Sequence, residues 1–160
     1  MKALIIYHSK TGHTEQAARD ISRGLESEGV ECVLRKASRG GEGSDLDEFG
    51  IVLFGTPTYG NRMYRLAARQ VQAYIDSLPE GALEGKYCGA FAVNAGVGAK
   101  QLVAAIERNL ARLGGKVVAG GPAVRAGAPL SLWKGPNASD EDVRKCQDYG
   151  RRVARAARGG

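Results

Sequence analysis

Apolar positions along this chain fall into two spacings that alternate from end to end. Short, nearly continuous apolar runs occur at Lys2–Tyr7, Val30–Leu34, Phe49–Phe54, Tyr87–Val93 and Lys116–Ala119. Each has the length and composition of a buried strand. Between them the apolar residues recur every three or four positions, the spacing of one helix face. Residues 13–28 do so through Ala17, Ala18, Ile21 and Leu25. Residues 62–77 do so through Met63, Leu66, Ala67, Val71, Tyr74 and Ile75, and residues 99–113 form a third such segment. Gly29 and the pair Gly114-Gly115 stand where helices stop. Ser139-Asp140-Glu141-Asp142 supplies an N-cap and an acidic first turn for a last helix. Two segments lack either spacing: 37–45, and the Gly/Pro-rich stretch 120–138, which contains Trp133.

Five apolar strands alternating with helices predict an α/β fold: a doubly wound, five-stranded parallel sheet with helices on both faces and right-handed crossovers. At 160 residues, with no repeat and no linker, the expected organisation is one domain spanning 1–160. Ligands of such sheets bind beyond the carboxyl ends of the strands. Three predicted turns at that edge are rich in Gly, Thr, Asn or Pro, and their convergence is the strongest functional signal in the chain.

The first turn, Ser9-Lys10-Thr11-Gly12-His13-Thr14, joins a strand directly to a helix start. A helix N-terminus presents unpaired N–H groups and partial positive charge, an anion site. The hydroxyls of Ser9, Thr11 and Thr14 can donate to the same anion, and Gly12 lets the backbone approach it. A phosphate group is the expected ligand. The second turn is Gly55-Thr56-Pro57-Thr58-Tyr59-Gly60-Asn61, and the third is Asn94-Ala95-Gly96-Val97-Gly98.

With these three turns the chain resembles the flavodoxin-like family of FMN proteins over essentially its whole length, most closely the short-chain flavodoxins. The first turn matches that family's phosphate loop, (S/T)-x-T-G-x-T. The second is similar to the loop covering one side of the flavin ring, and the third occupies the place of the other ring-contacting loop. The Gly-Thr-Pro-Thr segment is also similar to tryptophan-repressor-binding-protein-like quinone oxidoreductases. The resemblance implies strand order 2-1-3-4-5 and FMN as cofactor. It assigns the phosphate to Ser9, Lys10, Thr11, Gly12, His13 and Thr14. It assigns the ring and ribityl chain to Thr56, Pro57, Thr58, Tyr59, Gly60 and Asn61, and to Asn94, Ala95, Gly96, Val97 and Gly98. Tyr59 is the stacking residue in this reading, its π-face against the ring and its hydroxyl in water. The Gly60–Asn61 peptide matches the unit that turns over when the flavin gains its first electron.

Two departures from the family pattern change the picture. The third loop has no aromatic residue, so one ring face is left open to a substrate or to Trp133. The net charge is +6, where flavodoxins are usually acidic. Much of the excess lies in Arg144, Lys145, Arg151, Arg152, Arg155 and Arg158, which read as a solvated helix face. Arg62, Arg65 and Lys100 adjoin the second and third loops. Cations near a reduced, anionic ring stabilise it by Coulomb attraction. The expectation is a higher potential for the second electron than an acidic flavodoxin has.

Composition excludes several other classes. No apolar run approaches the ~18 residues of a membrane span. No signal-peptide pattern follows the first strand, so the expected location is cytoplasmic with no membrane insertion. Cys32, Cys88 and Cys146 are widely spaced and odd in number, which argues against a disulfide framework or a zinc site and for reduced thiols. No nucleic-acid-binding signature accompanies the basic charge. No catalytic triad, paired carboxylates or Walker A lysine is found, so no catalytic residue and no metal ligand are assigned. The leading reading is an FMN electron carrier between a reductase and a redox partner protein. The alternative is an NAD(P)H-dependent flavin or quinone oxidoreductase, and a non-redox interaction module ranks third.

Overall fold

The computed structural model describes residues 1–37, 43–60, 65–94, 98–125 and 139–160, with the backbone alone at 43, 44, 59, 60, 65, 66 and 94. Its strands are β1 (Lys2–Tyr7), β2 (Glu31–Lys36), β3 (Ile51–Pro57), β4 (Tyr59–Gly60), β5 (Arg65–Leu66), β6 (Tyr87–Asn94), β7 (Lys116–Val117) and β8 (Ala123–Arg125). Its α-helices are α1 (His13–Ser27), α2 (Arg69–Ser77), α3 (Ala99–Arg112) and α4 (Asp140–Gly159), and a single 3-10 turn covers Gly43–Leu46. The main sheet runs β2-β1-β3-β6-β7, with β8 also on β6, and every pairing in it is parallel. This is the expected 2-1-3-4-5 order, with the fifth strand in two pieces.

Strand alternation divides the core between two faces. Leu4, Ile6, Val52, Phe54, Ala90 and Ala92 pack with α2 and α3. Ala3, Ile5, Ile51, Leu53, Phe91 and Val93 pack with α1 and α4. Both faces of the central strands are therefore apolar, which is why those strands read as continuous hydrophobic runs.

The crossing of α1 and α4 is unusually close, and two glycines make it so. A Cβ on Gly24 would overlap the Gln147 carbonyl, and one on Gly150 would overlap the Ile21 carbonyl and lie 2.9 Å from the Leu25 nitrogen. One turn beyond Gly24, Arg155 and Arg158 both hold the Glu28 carboxylate, and Arg158 Nη1 also donates to the Glu28 carbonyl at 3.2 Å. The Arg155 hydrogen bond, with Arg158 adding to it, lowers the Glu28 pKa from its ordinary 4.5. The sign follows: the clamp contributes above the unfolded pKa and is lost as pH falls through the lowered folded value.

Two elements differ from the sequence expectation. The helix expected over 62–77 begins at Arg69; residues 61–64 lie outside the described residues, and Arg65–Leu66 pairs antiparallel with Tyr59–Gly60. The Ala68 amide donates to Thr56 Oγ1 at 2.8 Å, and the first helical bond runs from Gln72 N to Ala68 O at 3.0 Å. Leu66 and Ala67 extend the helical spacing, but Leu66 is committed to the ladder with Tyr59 and the chain enters α2 only after Ala68. The fifth strand is likewise not continuous from Lys116 to Ala119, and β8 lies inside the stretch expected to be loop. β7 pairs with Tyr87 and Cys88, and β8 with Ala92 to Asn94. Between them the chain bulges at Gly120-Gly121-Pro122, where a Cβ on Gly121 would overlap the Ala90 carbonyl. The Tyr149 hydroxyl donates to the Val118 carbonyl at 3.0 Å just before this bulge. Trp133 lies outside the described residues.

The three cysteines carry no disulfide: Cys88 and Cys146 are buried and Cys32 is half-buried. Burial pushes the Cys32 thiol up to about 11 and those of Cys88 and Cys146 to about 12, so none is a ready nucleophile.

Replacing Gly150 with alanine forces the α1–α4 crossing apart. The expected loss is about 2 kcal/mol, a fall in thermal midpoint of about 4–8 °C by calorimetry. Gly159→Ala, with open space around its Cβ, is the control and leaves the midpoint unchanged.

Candidate functional site

Parallel register sets the site. Tyr7 lies opposite Gly55, Gly55 opposite Phe91, and Pro57 opposite Val93. The turns leaving β1, β3 and β6 therefore emerge side by side at one edge. The His8 amide donates to Gly55 O at 3.2 Å and the Thr58 amide to Val93 O at 2.9 Å, which ties the three strand ends together.

The first loop is organised by its own short-range bonds. Gly12 has φ 87°, the left-handed conformation that favours glycine, and it immediately precedes α1. Its amide donates to Ser9 Oγ at 3.0 Å, and its carbonyl accepts the first helical bond, from Gln16 N at 3.0 Å. The amides of Thr11, His13, Thr14 and Glu15 have no acceptor among the described residues. Thr11 Oγ1 and His13 Nδ1 are 2.7 Å apart, while Thr14 is buried and Lys10 exposed. Unpaired amides at a helix start form an anion cradle, and no carboxylate bonds to them. The nearest carboxylate of the helix, Glu15, is turned to Tyr7, whose hydroxyl donates to it at 2.9 Å, and to Arg19 at 3.4 Å. Burial, then the hydrogen bond to Glu15, raises the Tyr7 pKa, so the phenol stays a donor.

In the second loop the two threonines separate in role. Thr56 is fully buried; its hydroxyl donates to Pro57 O at 2.7 Å and accepts from Ala68 N. That hydroxyl is occupied within the protein, holding the loop against the start of α2. Thr58 Oγ1 is buried with no partner among the described residues. A buried hydroxyl without a partner costs about 1–3 kcal/mol, and a polar ligand group at this edge would relieve it. Within β3, Gly55 packs directly on Phe91, whose ring a Cβ there would overlap. The backbone of Tyr59 and Gly60 pairs with β5, while Asn61 lies outside the described residues.

In the third loop Asn94 ends β6, and Ala95, Gly96 and Val97 lie outside the described residues. Gly98, φ 105°, starts α3 as Gly12 starts α1, with Leu102 N donating to its carbonyl at 3.2 Å. Two helix N-termini thus open on one edge from opposite faces of the sheet. Lys100 stands in the first turn of α3. Of the arginines expected near the loops, Arg62 lies outside the described residues, and only the backbone of Arg65 is described.

The flavodoxin family model matches residues 5–144, most of the chain and all three loops. The chain belongs to the flavodoxin family. This flavodoxin is 32% identical over 123 residues to a flavodoxin of Maridesulfovibrio salexigens, spanning 73% of this chain and 81% of that one. It is 36% identical over 91 residues to a flavodoxin of Clostridium saccharobutylicum, covering 57% of this chain and 54% of that protein. Among solved structures, oxidised flavodoxin 2 from Bacillus cereus matches with a TM-score of 0.79 at 22% identity, over 98% of this chain and 99% of that one. FMN is the cofactor of the family, and members carry electrons to redox partners. The residues present fit FMN: an anion cradle without a competing carboxylate on its amides, and a buried, unpartnered Thr58 hydroxyl at the same edge. Among the described residues, no helix is long and apolar enough to cross a membrane.

Sequence reasoning missed Ala68, Phe91 and Glu15 as parts of the site's frame. Glu15 was visible as a carboxylate in a helix first turn. Ala68 and Phe91 carry no local signal, because each acts through a neighbour distant in sequence.

Replacing Gly12 with alanine puts a Cβ on a left-handed residue and distorts the cradle, at about 1–2 kcal/mol. FMN affinity should fall about tenfold, measured by flavin fluorescence quenching. Riboflavin, which lacks the phosphate, should lose less than about twofold.

Proposed function

We propose that this flavodoxin is an FMN electron carrier that takes electrons from a reductase and delivers them to a redox partner protein. The observation that carries this reading is the cradle of unpaired amides at the start of α1, set beside the unpartnered Thr58 hydroxyl. When bound, FMN supplies one- and two-electron redox chemistry. The chain's own residues do the rest. Ser9, Thr11, Gly12 and Thr14, with the α1 amides, hold the phosphate, and Lys10 and His13 complete the loop. Thr58 offers a hydroxyl to the ribityl or ring polar atoms, and Thr56 and Pro57 fix the shape of its loop. Tyr59, Gly60 and Asn61 cover one ring face, and Asn94 to Gly98 border the other. No side chain is required as acid or base in this reading, and the whole chain 1–160 works as one domain in the cytoplasm.

A second reading, an NAD(P)H-dependent flavin or quinone oxidoreductase, draws support from Lys10 and Lys100 at the loops, since a pyridine nucleotide is anionic. Anaerobic mixing of FMN-loaded protein with NADH or NADPH separates the two. The carrier reading expects no flavin bleaching within minutes unless a reductase is added. Rapid bleaching by the pyridine nucleotide alone would replace it with the second reading.

The basic loops also set a potential. A cation in the first turn of α3 stabilises added negative charge at the neighbouring site. Lys100→Gln should lower the second one-electron potential by about 20–40 mV, corresponding to ~0.5–1 kcal/mol for one charge at short range in water. Spectroelectrochemistry of the two proteins measures it; an unchanged second potential would show that Lys100 does not act on the ring.

A further inference from the structure

The bulge in the fifth strand creates a second concave surface, separate from the phosphate loop. It has a volume of about 460 Å³ and lies between the start of α3, the segment 120–123 and the exposed side of α4. Ligand pockets typically run ~300–1,000 Å³, so it can hold a molecule of nucleotide size. Three cations line it, Lys100, Lys145 and Arg152, against one carboxylate, Asp148.

Arg152 is held in place before any ligand arrives. Its Nη2 donates to the Gly120 carbonyl at 2.9 Å, and its guanidinium lies 5.1 Å from the centre of the Tyr149 ring. That ring is itself fixed by the bond from its hydroxyl to Val118 O. A guanidinium has five donors, so most of this one's remain available, and a positioned donor loses less entropy on binding. Lys100 has no ion pair among the described residues. Lys145 is paired with the exposed Glu141 at 3.1 Å, a pairing worth little in water. Asp148 is bound to Arg151 at 2.6 Å, and the Glu107 carboxylate accepts from the Gly121 amide at 3.2 Å. Both carboxylates thus already have partners. Pro122, Ala123 and Tyr149 add an apolar lining beside the cations.

We propose that this depression is a second anion site, which takes a phosphorylated small molecule of nucleoside-diphosphate size. Its phosphates meet Lys100, Lys145 and Arg152, and its base or sugar lies on the Pro122–Ala123 side. A concavity with a fixed guanidinium and an apolar lining suits a compact ligand better than an extended acidic chain, which needs a row of cations on an open face. The site shares α3 with the third loop, since Lys100 follows Gly98 by two residues. A ligand held there is therefore joined to the flavin edge by one rigid helix. The inference does not depend on the electron-carrier reading: of the lining cations only Lys100 also stands at the flavin edge, and Lys145 and Arg152 lie on α4.

The test uses protein saturated with FMN, so that the phosphate loop is filled, and titrates it with ADP at low ionic strength. Calorimetry and amide chemical shifts are the readouts. The expected result is one saturable site with a dissociation constant near ~1 mM or tighter, and shifts concentrated at 120–123 and 145–152. Lys145→Glu and Lys100→Glu should each weaken binding about fivefold. Arg108→Glu, the same charge change at an exposed position outside the depression, should leave it within about twofold. Absence of saturation at about 10 mM ADP would overturn the proposal. So would an Arg108→Glu effect equal to that of Lys145→Glu, which would reduce the binding to net charge. Tighter binding of hexaglutamate than of ADP, lost in the same variants, would overturn it in favour of an acidic protein partner.

Discussion

The close crossing of α1 and α4 is the constraint on which the site depends. α1 must lie at a fixed depth and angle on the sheet for its first turn to present amides beyond β1. Gly24 and Gly150 let the two backbones approach to a distance that no side chain permits. Glu28, held by Arg155 and Arg158, ties the same pair together one turn further on. The packing term and the charge term therefore act at different points along one helix. Together they hold the C-terminal half of α1 against α4, while Ala17, Ala18, Ile21 and Leu25 seat the helix on the sheet. In a parallel sheet this matters more than usual, because ligand groups there are bound by element ends rather than by element faces.

The cradle at that N-terminus shows how a neutral backbone prepares for a charged ligand. Left-handed Gly12 turns the chain, Ser9 takes the Gly12 amide, and the following amides are left without acceptors. Glu15, which could have supplied a competing negative charge, is drawn off by Tyr7 and Arg19. The neighbouring loop is built on the opposite logic. Thr56 uses its hydroxyl within the protein, while the Thr58 hydroxyl has no partner among the described residues. One threonine stabilises the loop and the other carries an unmet hydrogen-bonding demand, though they are two residues apart and chemically identical.

The chain carries a net charge of +6, and the structure shows that its cations are not all of one kind. Arg155 and Arg158 are occupied in holding two helices together, and Arg151 is paired with Asp148. Arg152 is stacked on Tyr149 and anchored to Gly120. The solvated helix face expected from the run of arginines is thus partly a structural clamp. Lys100 and Lys145 remain as exposed charge on the side of the molecule where the fifth strand bulges.

The sequence by itself determined the alternation of the main strands and helices, the parallel sheet, and the turn that joins β1 directly to the start of α1. These follow from local rules: apolar spacing, glycine before a helix start, and hydroxyls beside it. Even the start of α4 was legible, because Ser139 accepts from Asp142 N at 3.1 Å as an N-cap should. Where the sequence misled, the deciding contact was distant. Apolar spacing placed a helix start at 62, but the Ala68 amide is held by Thr56, twelve residues earlier. The apolar run at 116–119 looked like one strand, but the Tyr149 hydroxyl and the Ala90 carbonyl decide where that strand can pair. Gly24 and Gly150 carry no local signal of their role, since the reason for each lies in the other helix. Tertiary structure alone decided these, because hydrogen-bond commitment and van der Waals exclusion act between atoms that only folding brings together.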